Sequence, residues 1–195
     1  MKSASLTLEQ TSDVRLYVHR GGLYGCALAN ARTARLGRYR GPDYTRNVWL
    51  WQTDGPYVAY TLTYFTLGHG AGLPDLLVLR NLRSGVRSVL SLGCGPNEPG
   101  STQSVGSLAL ARGFTGRPTV VWGCVPSSMG PITASEIHAQ QGTTGLLLDS
   151  GPTVDPASVA ISASSLTGQQ NIYWVNDGQA RRAPFDVGAG VNQRP

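Results

Sequence analysis

The sequence has little charge and no long apolar run. Only 14% of its 195 residues are charged, whereas soluble domains typically have about 25%. The shortage of charged helix formers excludes a coiled coil or other long-helix protein. A hydrophobic share of 41% argues against a disordered chain, and the length suits a single all-β domain. No window of about 19 residues is apolar enough to cross a bilayer, so we expect no membrane span.

No secretory signal is visible at the N-terminus. Residues 1–16 alternate polar and apolar side chains and contain no continuous apolar segment. The location therefore stays open. We expect an extracellular or cell-envelope protein if a leader has been removed, and a cytoplasmic one otherwise.

The sequence also lacks the common catalytic and cofactor motifs. It contains no G-x-S-x-G, no H-E-x-x-H, no P-loop and no EF-hand spacing. The absence of C-x-x-C excludes a zinc knuckle and a thioredoxin-type redox site. We therefore expect neither a cofactor nor a metal site, and we favour a non-enzymatic protein.

The three cysteines leave two interpretations open. Cys94 and Cys124 lie in similar contexts, Leu-Gly-Cys-Gly-Pro and Trp-Gly-Cys-Val-Pro, each at the end of an apolar run. If any pair forms a disulfide, we expect these two. The alternative is three buried thiols, because free cysteines are among the most buried residues.

Short strand-like segments recur through the chain at a spacing of roughly 40 to 60 residues, the period of propeller blades. Each unit contains about four such segments, rich in Val, Leu, Tyr and Trp and bounded by turn residues. One turn, Asn176-Asp-Gly178, carries an Asp-Gly pair, a strong hairpin signal. We place the units at about residues 5–40, 47–92, 105–150 and 157–191 of a single domain.

The repeat predicts an all-β, β-propeller-like fold with about four blades of four antiparallel strands. A single four-stranded blade cannot shield both of its apolar faces from water, so stacking blades around an axis stabilises each of them. The continuous run Leu76–Leu79 suits a strand that is covered on both faces. A β-sandwich is the alternative, but it does not explain the recurring order of segments.

Two strings resemble the last blades of uncharacterised bacterial β-propeller-like proteins of the TolB/WD40-like kind. They are residues 147–161, LLDSGPTVDPASVAI, and residues 173–185, YWVNDGQARRAPF. Residues 56–60 and 76–85 are similar to the middle blades of such proteins. The resemblance covers about residues 14–185 and implies the fold, whereas its motifs carry no catalytic residues. It also implies an exported protein.

Aromatic residues near the second unit are our candidate binding surface. They are Trp49, Trp51, Tyr57 and Tyr64, together with His69 in the glycine-rich loop 66–74. A protein or a glycan is the expected partner. Four units are few for a closed propeller, so a second copy of the chain is a further expected partner.

A basic stretch precedes this surface. Aromatic residues are interleaved in it, a combination that suits an acidic glycan or single-stranded nucleic acid. Arginines that simply protect a sheet edge are the alternative, which we favour. A net charge of +5 is modest, so we do not expect a nucleic-acid partner. The stretch contains Arg32, Arg35, Arg38, Arg40 and Arg46.

The alternative function is an enzyme acting on a carbohydrate or other polymer at the axial mouth of the propeller. Glu136 and His138 are two residues apart, so they share one face of a predicted strand. This spacing suits a paired acid and base, and Asp75 is the third candidate. The enzyme interpretation requires such side chains to converge within hydrogen-bonding distance in one pocket.

Overall fold

The computed structural model describes residues 5–39, 45–64, 76–91, 94, 103–126, 134–163 and 169–185. In these ranges the chain forms β-strands and turns and no helix. Within the same ranges, no helix has the length and apolar character needed to cross a membrane. The strands are β1 (Leu6–Gln10), β2 (Val14–His19), β3 (Gly22–Ala27), β4 (Arg32–Tyr39), β5 (Thr45–Val48), β6 (Trp51–Asp54), β7 (Tyr57–Tyr64), β8 (Leu76–Asn81), β9 (Arg87–Ser91), β10 (Gln103–Arg112), β11 (Pro118–Pro126), β12 (Ser135–Gln141), β13 (Thr144–Gly151), β14 (Val154–Ile161), β15 (Gln170–Asn176) and β16 (Gln179–Phe185).

Hydrogen bonds join β1–β9 into a nine-stranded sheet, β10–β13 into a four-stranded sheet and β14–β16 into a three-stranded sheet. We divide the nine-stranded sheet at β5 and number four antiparallel sheets along the chain: sheet 1 contains β1–β4, sheet 2 contains β6–β9, sheet 3 contains β10–β13 and sheet 4 contains β14–β16. Strand β5 pairs in parallel with β4 and antiparallel with β7, so it joins sheets 1 and 2. The prediction of an all-β, propeller-like chain of about four antiparallel units is confirmed.

Two details differ from the sequence-based expectation. Residues 47–50, at the expected start of the second unit, straddle the end of β5. The strand that forms the hairpin with β7 is β6. Sheet 4 has three strands within the described residues, rather than four. The fourth unit was expected to extend to about residue 191, and residues 186–191 lie outside the described residues.

Three hydrophobic clusters fill the spaces between consecutive sheets. The first joins Leu16 of sheet 1 to Tyr60 of sheet 2. The second joins Ala59 of sheet 2 to Trp122 of sheet 3, and the third joins Val121 of sheet 3 to residues of sheet 4. Chain neighbours such as Ala59 and Tyr60 belong to different clusters, because successive side chains of a strand point to opposite faces. Sheets 2 and 3 are therefore covered on both faces, as stacked blades are.

Polar contacts reinforce the boundaries between sheets. The Arg112 side chain at the end of β10 pairs with Asp54 at the end of β6, with 3.1 Å between Nε and Oδ1. The Arg32 guanidinium at the start of β4 donates to the carbonyl oxygen of Ser84 at 2.6 Å. Both contacts are solvent-exposed, so we expect each to stabilise the fold only slightly, by less than about 1 kcal/mol.

Sheet 4 lies directly on sheet 3 through a close backbone approach. Strand β14 crosses Gly123 of β11, where an added Cβ would lie 2.7 Å from the carbonyl carbon of Pro156. The Ser107 hydroxyl donates to the Pro156 carbonyl oxygen. Nearby, the indole of Trp174 donates to Asp149 at 2.6 Å. The missing side chain at Gly123 thus determines how near the two sheets can pack.

The predicted Asp-Gly hairpin is confirmed. Asn176 pairs with Gln179 across the turn, and the two central residues have φ of 53° at Asp177 and 68° at Gly178. Two consecutive positive φ angles are typical of a type I′ turn, which matches the twist of antiparallel strands. Glycine and aspartate adopt this conformation at low cost, so the sequence signal has a direct physical cause.

Candidate functional site

The aromatic residues proposed as a binding surface fall into different environments. Trp49 follows β5 and is 47% exposed, so its ring is accessible to a ligand. Tyr57 is half-buried at the first position of β7, and Tyr64 occupies the last position of that strand. His69 and the loop 66–74 lie outside the described residues.

Trp51 has a structural role in β6. Its indole Nε1 donates to Glu9 of β1 at 3.0 Å, and its ring lies 6.1 Å from that of Tyr39. The hydroxyl of Thr53 donates to the same Glu9 carboxylate. Trp51 therefore connects β1, the outer strand of sheet 1, to sheet 2, a role that the sequence interpretation missed.

The contrast between the two tryptophans is testable. We expect Trp51→Ala to lower the free energy of unfolding by about 2 kcal/mol, because it removes half-buried ring contacts and the hydrogen bond to Glu9. We expect Trp49→Ala to change it by less than about 0.5 kcal/mol, since that side chain is largely exposed. Urea denaturation of both variants measures the difference, and equal losses would contradict the assignment.

Glu136 and His138 meet as the sequence spacing predicted. His138 Nε2 lies 2.8 Å from Glu136 Oε2, and both side chains keep about a fifth of their surface exposed. The imidazole stacks on the ring of Trp122 in the adjacent strand, with 5.2 Å between centroids and an interplanar angle of 9°. Asp75, the third acid–base candidate, lies outside the described residues. The geometry places one carboxylate against one imidazole, the arrangement that orients a histidine as a base.

The cysteines next to this pair form a disulfide. Cys94 and Cys124 are bonded, with 5.4 Å between their Cα atoms, and both residues are buried. Cys26 is a free, half-buried thiol in β3. The bond attaches Cys94 to the centre of sheet 3.

A cavity of about 340 Å³ lies at the junction of β4 and β5. It is lined by Arg35, Leu36, Gly37, Arg38 and Arg46. Three of these five residues carry a guanidinium, and none of the described lining residues carries a carboxylate. Three guanidinium-bearing side chains therefore line one concave surface.

Local backbone geometry explains the cavity. Arg46 has φ of 61° and lies where the register between β5 and β7 shifts, so it occupies a β-bulge. Bulges redirect side chains relative to the regular strand pattern. Gly37 provides no side chain at this point, and an added Cβ would lie 2.7 Å from the carbonyl oxygen of Arg46. Arg35, Arg38 and Arg46 of the basic stretch thus line this cavity, whereas Arg40 lies outside the described residues.

Positive charge continues behind the cavity into sheet 2. The guanidinium of Arg80 in β8 donates to the carbonyl oxygen of Arg35 at 3.4 Å. Burial raises the pKa of the Tyr60 hydroxyl in the first cluster above its ordinary value, although Arg87 and Arg80 lower it in part. The phenol therefore stays neutral at physiological pH and does not reduce the positive charge nearby.

One aromatic group escaped the sequence interpretation. The rings of Tyr17 and Tyr24 stack on sheet 1 with 5.5 Å between centroids, and the guanidinium of Arg15 lies 5.4 Å from the Tyr17 centroid. His19 meets Tyr24 edge-on. These residues face away from the first hydrophobic cluster. The alternation of Arg15, Tyr17 and His19 along β2 was the available signal.

The comparisons with known proteins identify no family for this chain. No family model matches the sequence, and no curated protein matches it. A solved structure titled "Crystal structure of the tricorn protease" is similar over 93% of this chain, with 14% identity and a TM-score of 0.31. The chain covers 22% of that protein's length. At this TM-score the similarity carries no argument for this chain.

Proposed function

We propose that this chain is a non-enzymatic, propeller-like binding module whose ligand is an acidic glycan. The observation that carries the proposal is the arginine-lined cavity between β4 and β5. We further propose a single domain with four units at about residues 5–40, 47–92, 105–150 and 157–191. The resemblance to TolB/WD40-like proteins supports a binding role, because the similar strings contain no catalytic residues.

The cavity suits a ligand with carboxylate or sulfate groups. Arg35, Arg38 and Arg46 line it and are exposed, so three guanidinium-bearing side chains lie at the proposed site. Guanidinium binds carboxylate and sulfate in a two-pronged geometry that favours these groups over neutral ones. A volume of about 340 Å³ falls at the small end of ligand sites, which suits one or two sugar units of a longer chain.

The exposed ring of Trp49 supports a glycan in particular. It lies three residues after Arg46, and 47% of its surface is accessible. Aromatic faces pack against the apolar faces of sugar rings, whereas the charged groups of an acidic sugar require cations. The chain offers both within one segment. A net charge of +5 is small for a protein that binds the nucleic-acid backbone, which favours the glycan.

The proposal predicts a charge-dependent affinity that two arginines control. We expect a uronate tetrasaccharide to bind the wild-type chain and a neutral tetrasaccharide of equal length not to bind. Replacing Arg35→Gln together with Arg38→Gln should weaken binding by at least about tenfold, because two charge-assisted hydrogen-bonding groups are lost. Isothermal titration at low and physiological salt measures the change, and affinity should fall as salt rises.

A matched control separates the cavity from overall charge. Arg181→Gln with Arg182→Gln makes the same change in net charge on β16 of sheet 4, where both side chains are exposed. We expect this variant to retain wild-type affinity within about twofold. Equal weakening of binding in both variants would show that binding depends only on overall charge and would overturn the proposal.

An enzyme acting on a carbohydrate or other polymer is the second candidate function. The contact of 2.8 Å between Glu136 and His138 favours it, since it orients an imidazole beside a carboxylate. The same oligosaccharides decide between the candidates. If the wild-type chain shortens the uronate oligosaccharide and His138→Ala abolishes the cleavage, the second candidate replaces the first.

A further inference from the structure

Sheet 3 brings three metal-binding side chains together. The ligand atoms of Cys124, Glu136 and His138 all lie within 4.8 Å of one another. Strand pairing is responsible, because Cys124 lies opposite Glu136, and Trp122 lies opposite His138. Because Glu136 and His138 are two residues apart, β12 alone supplies two ligands on one face. The neighbouring strand β11 adds the third.

The disulfide supplies a fourth ligand from a distant part of the chain. Cys94 is bonded to Cys124, so in the oxidised chain its sulfur is held next to the Cys124 sulfur. Two thiolates, one imidazole and one carboxylate form a donor set that suits Zn²⁺ in tetrahedral coordination. This set becomes available only when the sulfur–sulfur bond is broken, because metals bind thiolates rather than disulfides.

We infer that the reduced chain binds one Zn²⁺ through Cys94, Cys124, Glu136 and His138, and that the disulfide and the metal exclude each other. A cellular dithiol is the reductant. Its two thiols transfer two electrons and two protons to the sulfurs of Cys94 and Cys124, and the dithiol itself becomes a disulfide. Binding of Zn²⁺ then releases the two cysteine protons to solvent.

Three of the four ligand groups need only small movements. In tetrahedral Zn²⁺ sites, metal–sulfur bonds of about 2.3 Å and metal–nitrogen bonds of about 2.0 Å place ligand atoms roughly 3.5 Å apart. The three observed ligand atoms need to move by about 1 Å or less to reach such spacing. Trp122 stacks on the imidazole and restricts its orientation. About a fifth of the His138 and Glu136 side chains is exposed, which gives an ion access from solvent.

Co²⁺ is the probe for the test, because tetrahedral thiolate coordination gives it visible ligand-field bands and a sulfur-to-metal charge-transfer band. The wild-type chain is reduced with a phosphine that does not bind the metal and is then titrated with Co²⁺. We expect both bands to reach saturation at one equivalent and to disappear when Zn²⁺ is added. The oxidised chain should give neither band, and reoxidation of the loaded chain with a small disulfide should release the metal.

Variants decide which residues bind. Cys124→Ser and His138→Ala should each weaken Co²⁺ binding by at least about tenfold in the reduced chain, because even the loss of an outer-shell partner of a ligand typically costs that much. Cys26→Ser, which removes the free thiol of sheet 1, should leave both bands unchanged. Far-ultraviolet circular dichroism checks that each variant is folded, and the oxidised wild-type chain serves as a folded control without thiolates. The inference is overturned if the reduced wild-type chain shows no tetrahedral bands, or if Cys26→Ser removes them.

Discussion

Replacing Gly123 with alanine should lower the free energy of unfolding by about 3 kcal/mol or more, the upper range for overpacking a core. The added Cβ would lie 2.7 Å and 2.8 Å from the carbonyl carbon and the Cα of Pro156. Both atoms belong to the backbone of β14, which cannot rotate away as a side chain can. Sheet 4 must therefore shift from sheet 3, and the third hydrophobic cluster loses contacts.

Two measurements show how much stability is lost and whether the loss arises at the contact between sheets 3 and 4. Urea denaturation gives the free energy of unfolding, and tryptophan fluorescence reports on Trp174, which is 7% exposed in the third cluster. We expect Gly123→Ala to shift the midpoint and to move the emission to longer wavelength before global unfolding, because sheet 4 separates first. Trp122 contributes to the same signal, so Trp174→Phe is needed as a reference.

Gly145→Ala is the matched control for this change. Gly145 lies on β13 of the same sheet, and its nearest contact for an added Cβ is the carbonyl oxygen of Ala139 at 4.0 Å. We expect a change within about 0.5 kcal/mol, or a slight gain because alanine has less freedom in the unfolded chain. If Gly123→Ala is as harmless as this control, the described contact between sheets 3 and 4 is wrong.

Local signals made the strands predictable. Short runs of β-branched and aromatic residues between turn-formers marked most of the strands, as the Asp177-Gly178 hairpin illustrates. The same logic failed at β5. Its parallel pairing with β4 joins Arg38 to Asn47 and Tyr39 to Val48, and nothing local in either segment encodes that pairing. The second unit was therefore placed from residue 47 onward, although residues 45–48 form the strand that joins sheets 1 and 2.

The candidate site was harder to predict, because its contacts span long sequence separations. The two residues Glu136 and His138 could be paired from their spacing along one strand. The bond from Trp51 to Glu9 connects positions 42 residues apart, and no periodicity points to it. Likewise, the register that sets Cys124 opposite Glu136 emerges only when β11 pairs with β12. The sequence indicates which side chains could take part in chemistry, whereas the folded structure is needed to show which side chains are neighbours.

Reducing the disulfide should destabilise the chain by about 3.5 kcal/mol, the loop-closure contribution expected for the sequence separation of 30 between Cys94 and Cys124. The bond limits the freedom of the unfolded chain, and that limit disappears when the bond is broken. Reduction removes no atom from the core, so this loss of stability does not arise from a cavity in the folded chain. Denaturation of oxidised and phosphine-reduced wild-type chains, both with a chelator present, measures the difference.

The metal state must be controlled, because Zn²⁺ acts in the opposite direction. Binding that favours the folded chain adds RT ln(1 + [Zn²⁺]/Kd), about 2.7 kcal/mol at a concentration one hundred times Kd. Replacing the chelator with Zn²⁺ should therefore return most of the lost stability to the reduced chain and add none to the oxidised chain. Cys26→Ser should reproduce both results, since that thiol belongs neither to the disulfide nor to the proposed metal site. Equal stability of the oxidised and reduced chains with chelator would show that the bond does not constrain the fold, whereas a loss that Zn²⁺ leaves unchanged would contradict only the metal site.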